Sequence, residues 1–174
     1  MNAAQFGHLE IVTTLIEAGA NVDLVNNLGG TALMIVALHG HLDVVSRLIA
    51  AGANVNLANN LGRTALMYAA DKGHLDVVNR LIDAGSDVNL ASNNGFTVLM
   101  AAAANGHLDT VKRLIEAGAS IDLANNTGFT ALMAAADKGH LDIVTKLIEE
   151  GANVDLANTK GSKALIYAVM NGHL

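Results

Sequence analysis

The tripeptide Gly-His-Leu begins at Gly7, Gly40, Gly73, Gly106, Gly139 and Gly172, always 33 residues apart. Fixed self-similarity at such a period marks a chain made by stacking one supersecondary unit many times. A globule with a single core has no reason to keep that phase, so the unit becomes the object to explain.

The stretch Asn59 to Asn89, NNLGRTALMYAADKGHLDVVNRLIDAGSDVN, serves as the type copy. Asn59-Asn60-Leu61-Gly62 predicts a type I turn, with the Asn59 side chain bonding the backbone two residues on and Gly62 at the fourth position. Thr64 is the expected N-cap of a first helix, on which Leu66, Ala69 and Ala70 share one face. Gly73 ends it. In a second helix Leu75, Val78, Leu81 and Ile82 recur at helical spacing, Asp76 suits the positive end of the macrodipole, and Arg80 lies toward the negative end. Gly85 closes that helix, and Val88-Asn89-Leu90 is expected to run extended into the next turn. Helices of about ten residues lie below the roughly 12–15 at which an isolated helix becomes marginal in water. Stability must therefore come from stacking neighbours along a line.

The pattern G-x-T-A-L-M-x-A-A-x-x-G-H-L-D-V-V-x-x-L-I-x-x-G-A-x-V-N, from Gly62 to Asn89 and in its copies, resembles the ankyrin repeat over essentially the whole chain. The resemblance implies an all-α solenoid of stacked helix-turn-helix units joined by short hairpin-like turns. Three departures stand out. Thr64-Ala65-Leu66-Met67 and its equivalents replace the family's Thr-Pro-Leu-His, so no proline presets the first helical turn. Met34, Met67, Met100 and Met133 stand where a hydrogen-bonding His is usual and can only pack. Asn26, Asn59, Ser92, Asn125 and Asn158 replace the usual turn Asp, which keeps the turn chemistry and removes a charge from each unit.

On this phase the chain is one array: a partial repeat over 1–25, complete repeats over 26–58, 59–91, 92–124 and 125–157, and a partial repeat over 158–174. Met1 falls in phase with Met34, so residues Asn2 to Phe6 are expected to finish a first helix and Leu9 to Ala18 to form the second. At the other end Lys163 replaces the capping Thr, and Ser162 is expected to cap one residue earlier. Leu165, Ala168 and Val169 then lack a following helix to cover them. Either the array belongs to a longer one, or its open ends stack head to tail in a heterologous contact.

Composition limits the function classes. The hydrophobic fraction is 52% but aromatics make up only 3%, which suits a core of Ala, Leu, Val and Ile between closely stacked small helices. No apolar run approaches the ~18 residues of a membrane span, and the polar N-terminus is no secretory signal. The absence of cysteine removes disulfides and thiolate metal sites and fits a reducing, intracellular and cytoplasmic setting. A net charge of −6 disfavours nucleic acid.

His8, His41, His74, His107, His140 and His173 form a ladder. Packed helices lie roughly 8–10 Å apart, too far for equivalent histidines to share an ion bound near 2 Å. Hydrogen bonding at the inter-helix turn is the expected role, and no metal or cofactor is expected. His39, off the ladder, is read as a surface residue. Glu10, Asp43, Asp76, Asp109 and Asp142 repeat in one helical position and complement the dipole. Catalytic groups must converge on a substrate, and periodic residues in a linear stack do not, so the chain is read as no enzyme.

Function is then carried by what is not periodic. In the family resembled, the turn tips and the exposed end of the first helix line a concave face that binds other proteins. Transferred here, that implies Leu61, Arg63, Tyr68, Asp71 and Lys72 in one unit, Asn94, Phe96 and Asn105 in the next, and Thr127, Phe129, Asp137 and Lys138 in the third. All five aromatics, Phe6, Tyr68, Phe96, Phe129 and Tyr167, occupy such positions. A core normally claims aromatics first; displaced to one side they suit binding anchors. Phe96 and Phe129 are expected to project from neighbouring tips as an apolar pair, the competing reading being that each packs on its own neighbouring turn. The resulting expectation is a non-catalytic module for a protein partner. Its alternatives are a structural scaffold segment, an end-to-end assembling array, and an engineered or consensus-like repeat protein.

Overall fold

The computed structural model describes residues 8–173. Within them all regular structure is helical apart from two isolated bridges, Ala58 with Thr64 and Ala91 with Thr97. The helices are α1 Leu9–Glu17, α2 Ala32–His39, α3 Leu42–Ala50, α4 Ala65–Lys72, α5 Leu75–Asp83, α6 Val98–Ala104, α7 Leu108–Glu116, α8 Ala131–Lys138, α9 Leu141–Glu149 and α10 Ala164–Met170. This is the expected all-α pattern of paired short helices. The helix expected to contain Met1 and Asn2 to Phe6 lies outside the described residues.

Local chemistry sets the helix boundaries. Thr31, Thr64, Thr97 and Thr130 are extended N-caps whose hydroxyls accept the backbone N–H of Met34, Met67, Met100 and Met133 at 3.2–3.4 Å. Each bond satisfies a donor that the first turn would leave orphaned. The Met side chains that replace the family's His are themselves buried. At α10 the expectation fails. Lys163 is the N-cap and makes no side-chain cap bond. Ser162 lies one residue too early, inside the turn, where its N–H donates to Asn158 Oδ1 and its carbonyl accepts Asn158 N–H.

Two compact units emerge from the contacts, Met1–Asp87 and Val88–Leu174. In the first, α2 packs on α4, α1 on α3 and α3 on α5, while α2–α3 and α4–α5 form hairpins. In the second, α6 packs on α8 and α8 on α10, α7 packs on α9, and α6–α7 and α8–α9 form hairpins. The packed faces of the first helices are small. Ala69, Ala70, Ala102 and Ala135 are fully buried beside Leu66, Leu99 and Leu132. Small side chains let the helix axes approach closely, and the buried aliphatic side chains supply roughly 1.5–3 kcal/mol each.

Neighbouring repeats are also joined through their loops. In the first unit Asn54 N–H donates to Asp23, Asp87 N–H to Asn56 Oδ1, and Asn60 N–H to the Leu28 carbonyl, at 2.9–3.1 Å. In the second, Ser120 N–H donates to Asn89 Oδ1, Asn153 N–H to Asp122, and Asn126 N–H to the Asn94 carbonyl, at 2.8–3.0 Å. These links explain one departure from the sequence reading. Val88 and Asn89 form a turn, not an extended segment; in it Val88 is buried while the Asn89 side chain reaches Gly118 and Ser120, one repeat on.

The histidine ladder is a second set of links. Nε2 of His74 lies 3.2 Å from the Leu38 carbonyl, that of His140 3.3 Å from Ala104 O, and that of His173 3.1 Å from Asp137 O. A carbonyl only accepts, so Nε2 carries the proton. Each of these rings thus ties its inter-helix turn to the last turn of the preceding first helix. Gly40 makes room for the first: its φ is 76°, and a Cβ there would stand 2.7 Å from His74 Nδ1.

Candidate functional site

In the first unit the tip of the repeat 59–91 is organised by one asparagine. Asn59 Oδ1 accepts the N–H of Leu61 at 3.0 Å and of Arg63 at 2.9 Å, closing the turn as expected. Its Nδ2 donates to the Tyr68 hydroxyl at 2.9 Å, which ties the tip to the first helix. The Arg63 guanidinium lies over the Tyr68 ring, 4.4 Å from its centroid, and stands 3.8 Å from Asp71. Lys72 is 3.5 Å from the other Asp71 oxygen. Arg63, Tyr68, Asp71 and Lys72, named separately from sequence, therefore form one cluster. Leu61 stands at the turn's apex, 65% exposed.

The second unit carries a different chemistry. Phe129 meets Tyr167 edge-on, with ring centroids 5.2 Å apart and planes at 85°. No ring contact joins Phe96 to Phe129, contrary to the expected pair. The aromatic partner within reach of Phe129 is the first-helix tyrosine of the following repeat, and the position matching it for Phe96 is Ala134. Asn158 Nδ2 donates to the Tyr167 hydroxyl at 2.8 Å, repeating the link between Asn59 and Tyr68. Phe96 is itself half-buried.

Several candidates are held by their own turns. Ser92 replaces the turn asparagine of its repeat, and its hydroxyl donates to Asn94 Oδ1 at 2.6 Å while Asn94 Oδ1 also accepts from Phe96 N–H at 3.3 Å. Asn94 is thus drawn into the turn. The Thr127 hydroxyl donates to Asn125 Oδ1 at 2.8 Å, and Asn105 Nδ2 donates to the Ala101 carbonyl at 2.9 Å. Asp137 accepts from Asn171 at 3.1 Å and stands 3.1 Å from Lys138.

Four residues gain roles beyond the sequence reading, with Tyr167, one of the five aromatics named there, gaining a partner. Asn59 and Asn158 do more than close their turns, since each orients a tyrosine; Tyr167 and Asn171 flank Phe129 and Asp137 from the next repeat. The signal is the placing of Tyr68 and Tyr167 nine residues after a turn Asn, which occurs in those two repeats alone.

A hydrogen bond from Lys163 holds the Asp155 carboxyl below its ordinary value, and a hydrogen bond to Glu150 raises Lys146. Among the described residues no three His, Cys, Asp or Glu side chains gather as a metal site would need. None of the described helices is long and apolar enough to cross a membrane.

A family model for ankyrin repeats, in three copies, matches residues 1–92, 78–158 and 99–174. The chain belongs to the ankyrin-repeat family. No curated protein matches it. Ankyrin repeats are generally protein-interaction modules, typically without catalysis.

Proposed function

We propose that this chain is a non-catalytic protein-binding module whose contact side is the row of turn tips and first-helix ends, the concave face of an ankyrin array. The observation that carries this reading is the placing of Arg63 over Tyr68, and of Phe129 against Tyr167, half-exposed on turns closed by asparagine side chains. Aromatic and Arg side chains dominate interface energies. Held in place by ring contacts and hydrogen bonds, they lose little entropy on association. The first cluster offers a cation over an aromatic face beside a carboxylate, and the second an apolar edge beside the Asp137–Lys138 pair. An acidic group of a partner fits the first cluster, and an aliphatic or aromatic group fits the second.

The test is affinity capture with the intact chain, followed by titration of each captured protein in purified form. Arg63→Ala with Tyr68→Ala, and separately Phe96→Ala with Phe129→Ala, are expected to weaken binding at least tenfold while the helical circular dichroism persists. Unchanged affinity in both variants would remove this face as the contact side.

A second reading, association of copies end to end, is supported by the apolar side chains left open on α9 and α10: Leu141, Ile148, Leu165 and Val169 are between 47% and 76% exposed.

A further inference from the structure

The third turn tip reads Ser92-Asn93-Asn94-Gly95. Before their tip glycines the other repeats have Leu28, Leu61, Thr127 and Lys160, so this tip alone presents Asn-Gly. The carboxamide carbon of an asparagine is open to attack by the backbone nitrogen of the next residue, most readily before glycine, which has no Cβ to obstruct ring closure. Gly95 is required where it stands: its φ is 79°, and a Cβ there would lie 2.7 Å from Asn126 Oδ1 and 2.8 Å from Asn126 N. The backbone fixes the glycine, and the residue before it decides whether the tip is labile.

Asn-Gly occurs twice more, at Asn105-Gly106 and Asn171-Gly172, but those carboxamides are held differently. Each donates Nδ2 to the carbonyl four residues back, Asn105 to Ala101 at 2.9 Å and Asn171 to Tyr167 at 3.0 Å, so the nitrogen that would have to leave is tied to its helix. Asn94 is exposed and is held by its oxygen instead. The Ser92 hydroxyl donates to Oδ1 at 2.6 Å, and Phe96 N–H, shared with the Ser92 oxygen, reaches Oδ1 at 3.3 Å. Negative charge develops on that oxygen when the carbon is attacked, and donors already aimed at it lower the barrier. The hydroxyl is specific to this turn, since Asn26, Asn59, Asn125 and Asn158 stand at the matching position. We propose that Asn94-Gly95 is a self-modifying site, at which Asn94 converts to aspartyl and isoaspartyl forms with Ser92 as the activating donor.

The Gly95 nitrogen gives its proton to hydroxide, and with it the 2.7 Å bond to the Ser92 carbonyl. It then bonds to Asn94 Cγ while the Cγ–Nδ2 bond breaks, and Nδ2 takes a proton from water and departs as ammonia, leaving a succinimide ring. Water opens the ring. Addition at Cγ, with loss of its bond to the Gly95 nitrogen, gives aspartate; addition at the main-chain carbonyl carbon of residue 94 gives isoaspartate. Both products place a carboxylate at the tip. In the isoaspartyl form the main chain gains a methylene, and the carbonyl that accepts Asn126 N–H at 3.0 Å becomes part of the free carboxylate, which removes a main-chain link to the next repeat.

Peptide mass spectrometry of the folded chain held at mildly alkaline pH tests this. Trypsin releases residues 81–112 as one peptide, so Asn94 and Asn105 are compared within it and Asn171 in another; fragment masses locate the exchange of NH2 for OH. Asn94 is expected to convert roughly tenfold faster than Asn105 or Asn171, at a rate that rises with pH. In chains unfolded by urea the three sites are expected to react alike. Ser92→Ala is expected to slow Asn94 about tenfold, the worth of one hydrogen bond to a developing charge at an exposed site. Ser92→Asn, which supplies the turn residue of the other repeats, is expected to slow it as much while helical circular dichroism is unchanged. Conversion at Asn94 no faster than at the other two in the folded chain overturns the site. A preference for Asn94 that persists in urea, or a rate unchanged in both Ser92 variants, overturns the role given to the folded turn and its serine.

Discussion

The side-chain amide of Asn59 donates to the Tyr68 hydroxyl across 2.9 Å, while its carbonyl oxygen closes the turn on Leu61 and Arg63. One residue thereby fixes both the shape of a tip and its attitude to the helix behind it. Tyr68→Phe removes only the link, and is expected to cost about 1 kcal/mol in urea unfolding. Asn59→Ala removes the turn bonds as well and should cost more. Equal losses would mean that the turn closes without its asparagine.

The edge-on contact of Phe129 with Tyr167 predicts coupling. A double-mutant cycle of Phe129→Ala and Tyr167→Ala should give an interaction of about 0.5–1.5 kcal/mol. Phe96→Ala and Tyr167→Ala, which share no ring contact, should be additive. Coupling in the second cycle as large as in the first would contradict the arrangement described.

Glycines separate backbone handedness from crowding. Gly52 has φ 86°, and a Cβ added there would meet nothing within 4 Å, so Gly52→Ala is expected to cost about 1–2 kcal/mol from its left-handed conformation alone. Gly40→Ala carries the same strain and also displaces the His74 ring, whose bond to the Leu38 carbonyl is worth about 1 kcal/mol. Thermal unfolding of the two variants side by side measures the difference, and equal melting temperatures would exclude the histidine's contribution.

The pairing of Asp155 with Lys163 predicts a pH effect of definite sign. The carboxyl titrates below its ordinary value because Lys163 donates to it. Its contribution to stability is therefore present above the unfolded-state value and is lost as pH falls through the folded-state value. Carboxyl NMR titration should give a lower midpoint for Asp155 in the native chain than in Lys163→Gln. The stability change itself should be small, because both groups are solvent-exposed. Coincident midpoints would show that the contact is not populated in solution.

Much of this molecule is legible in its sequence, for reasons that are local. A threonine before an apolar run caps a helix wherever it occurs, and a glycine able to take positive φ ends one. A short helix with one apolar stripe has to find a neighbour. Repeated in phase, those rules determine the paired helices, their boundaries and the buried stripe, with Lys163 the exception because it cannot accept the capping bond. What no local rule decides is which side chain reaches across to which. Phe129 turns to Tyr167 and not to Phe96, Asn94 folds into its own turn once Ser92 shortens the neighbouring side chain, and Arg63 lies flat on Tyr68. Those choices depend on distances between residues from 2 to 38 positions apart in sequence, the longest set by how closely one helical pair settles on the next, and only the folded chain supplies them.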